Sequence, residues 1–513
     1  MDNTREISGS EHSYAGLLLV SVLVIATCGL IYELVAGTLA SYLLGDSVTQ
    51  FSTIIGVYLF AMGIGSWLSK YFNRNLLTWF VRVEIMVGLA GGFSSSILFV
   101  LFEQVESFRI LLYFLILLVG VLVGIEIPIL MRILKDKFPF KDLVARVFTF
   151  DYIGALVASI IFPLLLIPRL GLIRTSLLFG MLNILIAFIL CIRMEKEIVR
   201  AKIIRSTALV FMLMMLVAFV YSETIVGLAE SSTYPDRIIY AKSSPYQRII
   251  VTKNKNDVRL YLNGNLQFSS ADEYRYHEAL IHIPAHYAPA VSNVLVMGGG
   301  DGMAVRELLK YPEVKSITLV DLDRAMTDLF SGNTLLTELN KNSFSSPKVK
   351  IMNEDAFQWL KKNERSFDLI ILDFPDPSNY SIGKLYTNTF YRVIANHLNQ
   401  KGIVVVQSTS PYVAPNSFWC VSKTLEDAGF FTMPYHVYVP AFGDWGYVMA
   451  SKEAAFTPQR NFPEGLRYLN ESVLRETKTF PPDMARRETM VNKLNNQVLV
   501  TYFEDEWDKV TQQ

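Results

Sequence analysis

Cysteine is scarce in this chain: Cys28, Cys191 and Cys420 are the three among 513 residues, and they are widely scattered. That excludes a disulfide framework and a thiolate metal cluster. Neither HExxH nor CxxC occurs, so no metal site is expected. Net charge is lacking as well. Lys plus Arg number 47 and so do Asp plus Glu, which argues against nucleic acid as a partner. The polar residues 1–13 do not form the basic start of a cleaved signal peptide.

What the chain has in excess is apolar sequence, 51% of residues, concentrated in the first 225 or so. Long apolar segments run over 14–35, 50–68, 79–102, 108–133, 146–168, 171–193 and 205–222. Each can cross roughly 30 Å of hydrocarbon as a helix. A multi-pass membrane domain of about seven helices is therefore expected over 14–225, with the lipid bilayer as its partner. Gly56, Gly63 and Gly65 suggest a seam where helices approach closely. Glu33, Glu84, Glu126 and Asp151 interrupt the spans. Such acids should face the bundle interior or a polar cavity, unless Glu84 pairs with Arg82 near an interface. Basic residues gather in alternate loops (Lys70, Arg74; Arg132 to Arg146; Arg193 to Arg205), which puts the N-terminus in the cytoplasm. Seven crossings would then leave the C-terminal part outside, whereas a cytosolic nucleotide pool calls for a cytoplasmic one.

A small β-rich domain is expected over 226–285, from the strand-like runs 240–251 and 258–268 and the turn dipeptide Asn263-Gly264. From 286 to 455 the rhythm is that of a doubly wound, seven-stranded α/β domain. A polar tail over 456–513 is read as helical near 483–494.

Within the α/β region, Val294–Met297 is an apolar run that meets three glycines and Asp301. A helical pattern follows, and a second apolar run, Ile317–Val320, stops at Asp321. Strand, glycine turn, helix, strand and a carboxylate about 20 residues on form the layout of a nucleotide-binding unit. No Lys or Arg follows the turn as a P-loop requires. Further acids sit at the ends of successive strands: Asp323, Asp355, Asp373 and Asp376. Any one of these is readily a helix cap. Together, at the end of a sheet where ligands bind, they repel phosphate and suit a cation such as a sulfonium or an amine.

The segment GGGDGMAVRELLKYPEV with VDLD resembles the signature of the spermidine synthases, the polyamine aminopropyltransferases. SPYQRIIV, LYLNGNLQFSSADEYRYHEAL, NEDAF and ILDFPDP follow in the family's order, so the resemblance covers about 240–450. The membrane half is similar to that of a bacterial subgroup in which multi-span helices precede this domain. The resemblance implies a methyltransferase-like Rossmann fold and transfer of an aminopropyl group from decarboxylated S-adenosylmethionine, as co-substrate, to a polyamine, putrescine by default. It implies no prosthetic group, and a homodimer. It assigns Gln247, His277, Gly298, Gly300, Asp301, Asp321, Asp355 and Ala356 to the donor, and Asp373 to the base. It assigns Tyr276, Glu278, Asp376 and Gln407 to the acceptor. Departures fall mainly on the acceptor side: Phe374 and Pro375 follow the base, and Phe442 stands near an expected tyrosine. Met303 replaces a fourth glycine, and Asp321 stands where Glu is usual. Two other readings use the same residues, a transferase of S-adenosylmethionine itself and a polyamine transporter or sensor.

Overall fold

The computed structural model describes residues 9–44, 47–102, 108–222, 227 and 234–511. The chain divides into two compact units, Met1–Pro235 and Asp236–Gln513, so the β-rich segment and the tail fall in one unit with the α/β sheet.

The first unit is helical: α1 (Gly9–Leu44), α2 (Ser47–Leu68), α3 (Leu76–Leu101), α4 (Phe108–Leu134), α5 (Phe140–Ile161), α6 (Ile167–Arg193) and α7 (Ala201–Val220). Among the described residues six helices are long and apolar enough to cross a membrane, the fifth being the 54-residue stretch Phe140–Arg193 that holds α5 and α6. The seven spans of the sequence reading differ from these six only there. Pro163 and Pro168 each remove a backbone N–H, a π-helical turn spans Phe162–Leu166, and Gly171 leaves helical geometry at φ 71°, ψ −178°.

Glycines set the helix separations. A Cβ on Gly65 or Gly124 would collide with the backbone of the facing helix, at Val121 or Met62, so α2 and α4 meet backbone to backbone. Gly88 and Gly180 do the same for α3 and α6. Gly56 and Gly63, expected in the seam with Gly65, have nothing within 4 Å, because they lie on the exposed side of α2. Glu84 does not pair with Arg82. It accepts a 3.0 Å hydrogen bond from Asn183, whose side-chain oxygen accepts from Tyr32 at 3.3 Å, tying α3, α6 and α1 together. Arg82 instead lies over the Trp79 ring. Glu126 is also buried, while Glu33 and Asp151 are half-buried.

The second unit starts with an antiparallel sheet, β1 (Arg237–Ser243), β2 (Arg248–Lys253), β3 (Val258–Leu262) and β4 (Asn265–Ser269). The run 240–251, read as one strand, is a hairpin, and the hairpin expected at Asn263-Gly264 is present as well. Ser244 turns the first, its hydroxyl accepting from the amides of Tyr246 and Gln247. Asn263 and Gly264, both at positive φ, turn the second.

The main sheet runs β7 (Val349–Met352), β6 (Ser316–Val320), β5 (Asn293–Gly298), β8 (Phe367–Asp373), β9 (Leu398–Gln407), β11 (Gly443–Ser451), β10 (Phe431–Val439). β5 to β9 are parallel, and β11 is antiparallel to both its neighbours. Strands buried on both faces need continuous apolar runs, which these are. Val294 and Val296 pack with Leu280 and Ile283 on one face, and Leu295 and Met297 with Phe390 and Val421 on the other. Every parallel strand therefore delivers its carboxyl end to the same edge.

The tail differs from expectation. Residues 485–497 form no helix, and the last described helix is Val498–Thr511, preceded by a segment that the buried Asn492 ties to the carbonyls of Gly383 and Tyr386. Its apolar residues Leu499 and Val500 are buried.

The helix seam yields a test. Gly124→Ala should destabilise the detergent-solubilised protein by about 1–3 kcal/mol through overpacking. Gly56→Ala should leave the thermal unfolding midpoint unchanged, and equal midpoints for the two variants would refute the close α2–α4 approach.

Candidate active site

At the carboxyl edge, Gly298 of β5 lies in register with Asp373 of β8, and a Cβ on Gly298, already at φ 80°, would strike the Asp373 carbonyl. A Cβ on Gly300 would come within 2.7 Å of the Asp321 carboxylate. The glycine turn is thus wedged between the carboxylates ending β6 and β8. That places Asp301, Asp321 and Asp373 around one recess.

Three of the strand-end acids also bond the backbone just after them, Asp323 and Asp355 as helix caps. Asp301 accepts from the Met303 amide at 2.9 Å, Asp323 from Ala325 at 3.0 Å and Asp355 from Gln358 at 2.9 Å. Asp321 accepts from the Asp323 amide at 2.8 Å. Asp323, expected only as one acid of the strand-end cluster, receives the Gln247 amide at 2.8 Å and the Ser244 hydroxyl at 2.7 Å, and so fixes Gln247 beside β6. Asp355 pairs with Lys384 at 2.8 Å, and Ala356 follows it at the start of a helix.

The helix Glu273–Tyr287 supplies the other wall. Tyr276 donates a 2.5 Å hydrogen bond to one oxygen of Asp373, leaving the second oxygen, which faces Gly299, for a ligand. His277 bonds Glu273 through Nδ1 at 2.7 Å, and Glu273 is held by Arg306 at 2.9 Å through both its oxygens. Arg306 also bonds Glu307, which bonds His282. The signal for this buried network was present as Glu273 four residues before His277 on one helix, a spacing that makes them neighbours.

Beyond Asp373, Asp376 accepts from Gln407 at 3.3 Å and from Thr409 at 3.4 Å. Gln407 also bonds the Phe374 carbonyl and the Tyr386 hydroxyl, and accepts from Trp445 at 3.2 Å. Phe442 lies 6.4 Å from Tyr276 and 5.2 Å from Trp445, ring to ring. Glu278 is elsewhere: its carboxylate accepts the backbone amides of Arg467, Tyr468 and Leu469, pinning the tail. The departures Phe374 and Met303 are buried core residues, one against Tyr386 and Phe390, the other in a cluster with Phe268 and Phe330. Among the described residues no group of three or more His, Cys, Asp or Glu could hold a metal ion.

Residues 273–461 match the spermine/spermidine synthase domain. The chain is 50% identical to the polyamine aminopropyltransferase of Leptospira interrogans over 96% of its own length and 99% of that protein. It is 40% identical to polyamine aminopropyltransferase 1 of Streptomyces coelicolor, covering 96% of this chain and 94% of that protein. Among solved structures it is similar to a spermidine synthase in complex with the transition-state analogue AdoDATO, at 29% identity and a TM-score of 0.45, over 48% of this chain and 86% of that one. The chain belongs to the polyamine aminopropyltransferases. Both relatives match over 96% of it, so the helical unit is included.

In this aminopropyltransferase the carboxylates are costly to ionise. Burial, then the charges of neighbouring acids, push Asp321 up to about 7 and Asp373 up to about 6. Asp376 rises to about 7 by burial, moderated by its bonds from Gln407 and Thr409. Burial pulls His277 down, but Glu273 overrides it, with Asp301 and Asp373 adding to the effect, and the imidazole reaches about 9. Burial likewise opposes the charge on Glu273, yet His277 and Arg306 hold it at about 2.

The His277–Glu273 pair makes stability depend on pH. Its imidazolium contribution is complete below the unfolded histidine value of about 6.5 and is lost as pH rises through about 9. The thermal midpoint should therefore fall across that window in the unaltered enzyme. In Glu273→Gln the decline should flatten, and an unchanged slope would show that the pair carries no such linkage.

Proposed function

We propose that the C-terminal unit transfers the aminopropyl group of decarboxylated S-adenosylmethionine to a polyamine, putrescine by default, with Asp373 as the base. The observation that carries this reading is the Tyr276-held Asp373, one oxygen open, between Asp301 and Asp321 on one side and Asp376 on the other.

The donor is a nucleoside sulfonium with a terminal ammonium. Asp321 accepts from its ribose hydroxyls, and Asp355 with Ala356 meets the adenine. Gln247, set by Asp323, and His277 line the nucleoside. The backbone of Gly298 and Gly300 allows close approach, and Asp301 takes the aminopropyl ammonium. The acceptor lies along Tyr276, Asp376 and Gln407. Glu278 has no part in it, since backbone amides already take its oxygens.

A primary amine with a pKa near 10 is protonated and non-nucleophilic at neutral pH. The open oxygen of Asp373 takes the proton from the attacking nitrogen. That nitrogen then forms a bond to the methylene beside sulfur as the carbon–sulfur bond breaks, and methylthioadenosine leaves with the sulfur electron pair. Tyr276 keeps the carboxylate aimed at the nitrogen, and holding nucleophile, carbon and sulfur in line supplies much of the acceleration. Each bound cation also relieves the repulsion that raises the empty site's acids.

The apolar helices set this chemistry at a bilayer, and the nucleotide donor calls for the catalytic unit on its cytoplasmic side. The same reading includes self-association as a dimer.

Asp373→Asn should lower kcat by about 100- to 10,000-fold, the usual reach of general-base catalysis. In the unaltered enzyme, kcat/KM should fall as pH drops through about 6 to 7, where Asp373, Asp321 and Asp376 take up protons. The acid limb of kcat should lie lower, because bound cations favour ionised carboxylates. Product analysis decides the donor: methylthioadenosine supports the reading, and S-adenosylhomocysteine from S-adenosylmethionine overturns it.

A further inference from the structure

The C-terminal helix reaches the acceptor side of the site, although it lies outside the matched synthase domain at 273–461. Its Trp507 donates an indole N–H to the Thr409 hydroxyl at 3.2 Å, and that hydroxyl lies 3.4 Å from the second oxygen of Asp376, to which it donates. The polarity is consistent: one hydroxyl accepts from the indole and gives its proton to the carboxylate.

Thr409 is held in an unusual state. It is buried and sits at φ 55°, a region that β-branched residues rarely adopt and that persists only where the surroundings impose it. The surroundings do so. The Gly446 amide bonds the Thr409 carbonyl at 2.7 Å, and the Ser408 amide bonds the Gly446 carbonyl at 2.9 Å. A Cβ on Gly446 would strike Phe418, so this strand passage is tightly fitted. Next to Trp507, Glu506 locks the helix in place by accepting from the amides of Asn416 and Ser417 at 2.9 and 3.0 Å.

The arrangement is two-sided. One oxygen of Asp376 is approached by Gln407, backed by the indole of Trp445, and the other by Thr409, backed by the indole of Trp507. We propose that Trp507 is a positioning residue which, through Thr409, fixes Asp376 for the distal ammonium of the acceptor and makes the C-terminal helix part of acceptor selection. This rests on Asp376 being an acceptor residue, as proposed above. Backbone strain persists where the surroundings over-determine an orientation, and the group oriented through Thr409 is the Asp376 carboxylate.

The experiment uses the full-length protein in detergent, with Trp507→Phe to remove the N–H and keep a ring, and Thr409→Val to remove the hydroxyl and keep the branch. Each should raise the KM for putrescine roughly tenfold, the scale of one hydrogen bond to a charged group. The KM for decarboxylated S-adenosylmethionine and kcat should change less than threefold. Thr409→Ser should restore the putrescine KM. With a monoamine such as butylamine, which has no distal ammonium, the variants and the unaltered enzyme should have the same KM. Unchanged putrescine KM values, or donor KM, kcat and thermal midpoint falling away together, would overturn the proposal. Asp376→Asn is the separate control. If it leaves the putrescine KM unchanged, it is the acceptor role of Asp376 that fails, whatever Trp507 does.

Discussion

Carboxylates at the ends of β5, β6 and β8 share one recess with His277 as the cation facing Asp301 and Asp373, and the remaining features of the catalytic unit follow from that repulsion. Arg306 is spent on Glu273 and Glu307, and Lys384 on Asp355, so neither neutralises Asp321, Asp373 or Asp376. Acids that are desolvated and close together resist ionising, which is the state a cationic donor and a cationic acceptor relieve. The site is therefore matched to cationic ligands by the acids it leaves without a cationic partner, and in the proposed reaction one of them, Asp373, exchanges a proton near neutral pH.

Such a site has to be held rigid against its own repulsion. The glycine turn does this by allowing backbone against the Asp373 carbonyl and the Asp321 carboxylate. The helix Glu273–Tyr287 does it with Tyr276 on Asp373, and with a buried ion network that fixes His277. The segments after β11 also take part, with Glu278 pinning 467–469 and the terminal helix bonded to Thr409. What reads as a polar tail is part of the wall.

The helical unit solves a different problem with similar means. In helices apolar enough to cross a membrane, side chains would gain little by leaving lipid for protein, and the helices meet by close packing at Gly65, Gly124, Gly88 and Gly180. Glu84, which hydrocarbon would penalise, is taken into the interior by Asn183 and Tyr32.

Periodicity and composition alone determined the two-part architecture, the parallel strands and the acids at their ends. Apolar runs bounded by glycine and aspartate leave the chain few other ways to bury itself. Two hairpins were legible only in part, because the Ser244 turn depends on side-chain bonds to its own backbone rather than on a turn dipeptide. The tail helix was misplaced for a related reason: 498–511 is stabilised by burial of Leu499 and Val500 and by Glu506 capping a distant helix, none of which is local. Nor could spacing along the chain separate Gly65, which meets α4, from Gly56, which meets nothing. Only the tertiary structure decided which acid orients Gln247, that Glu278 serves the backbone, and that Trp507 stands two hydrogen bonds from Asp376. Those assignments join residues 76, 189 and 131 positions apart, and contacts at such range are set by how the layers pack, which no local pattern encodes.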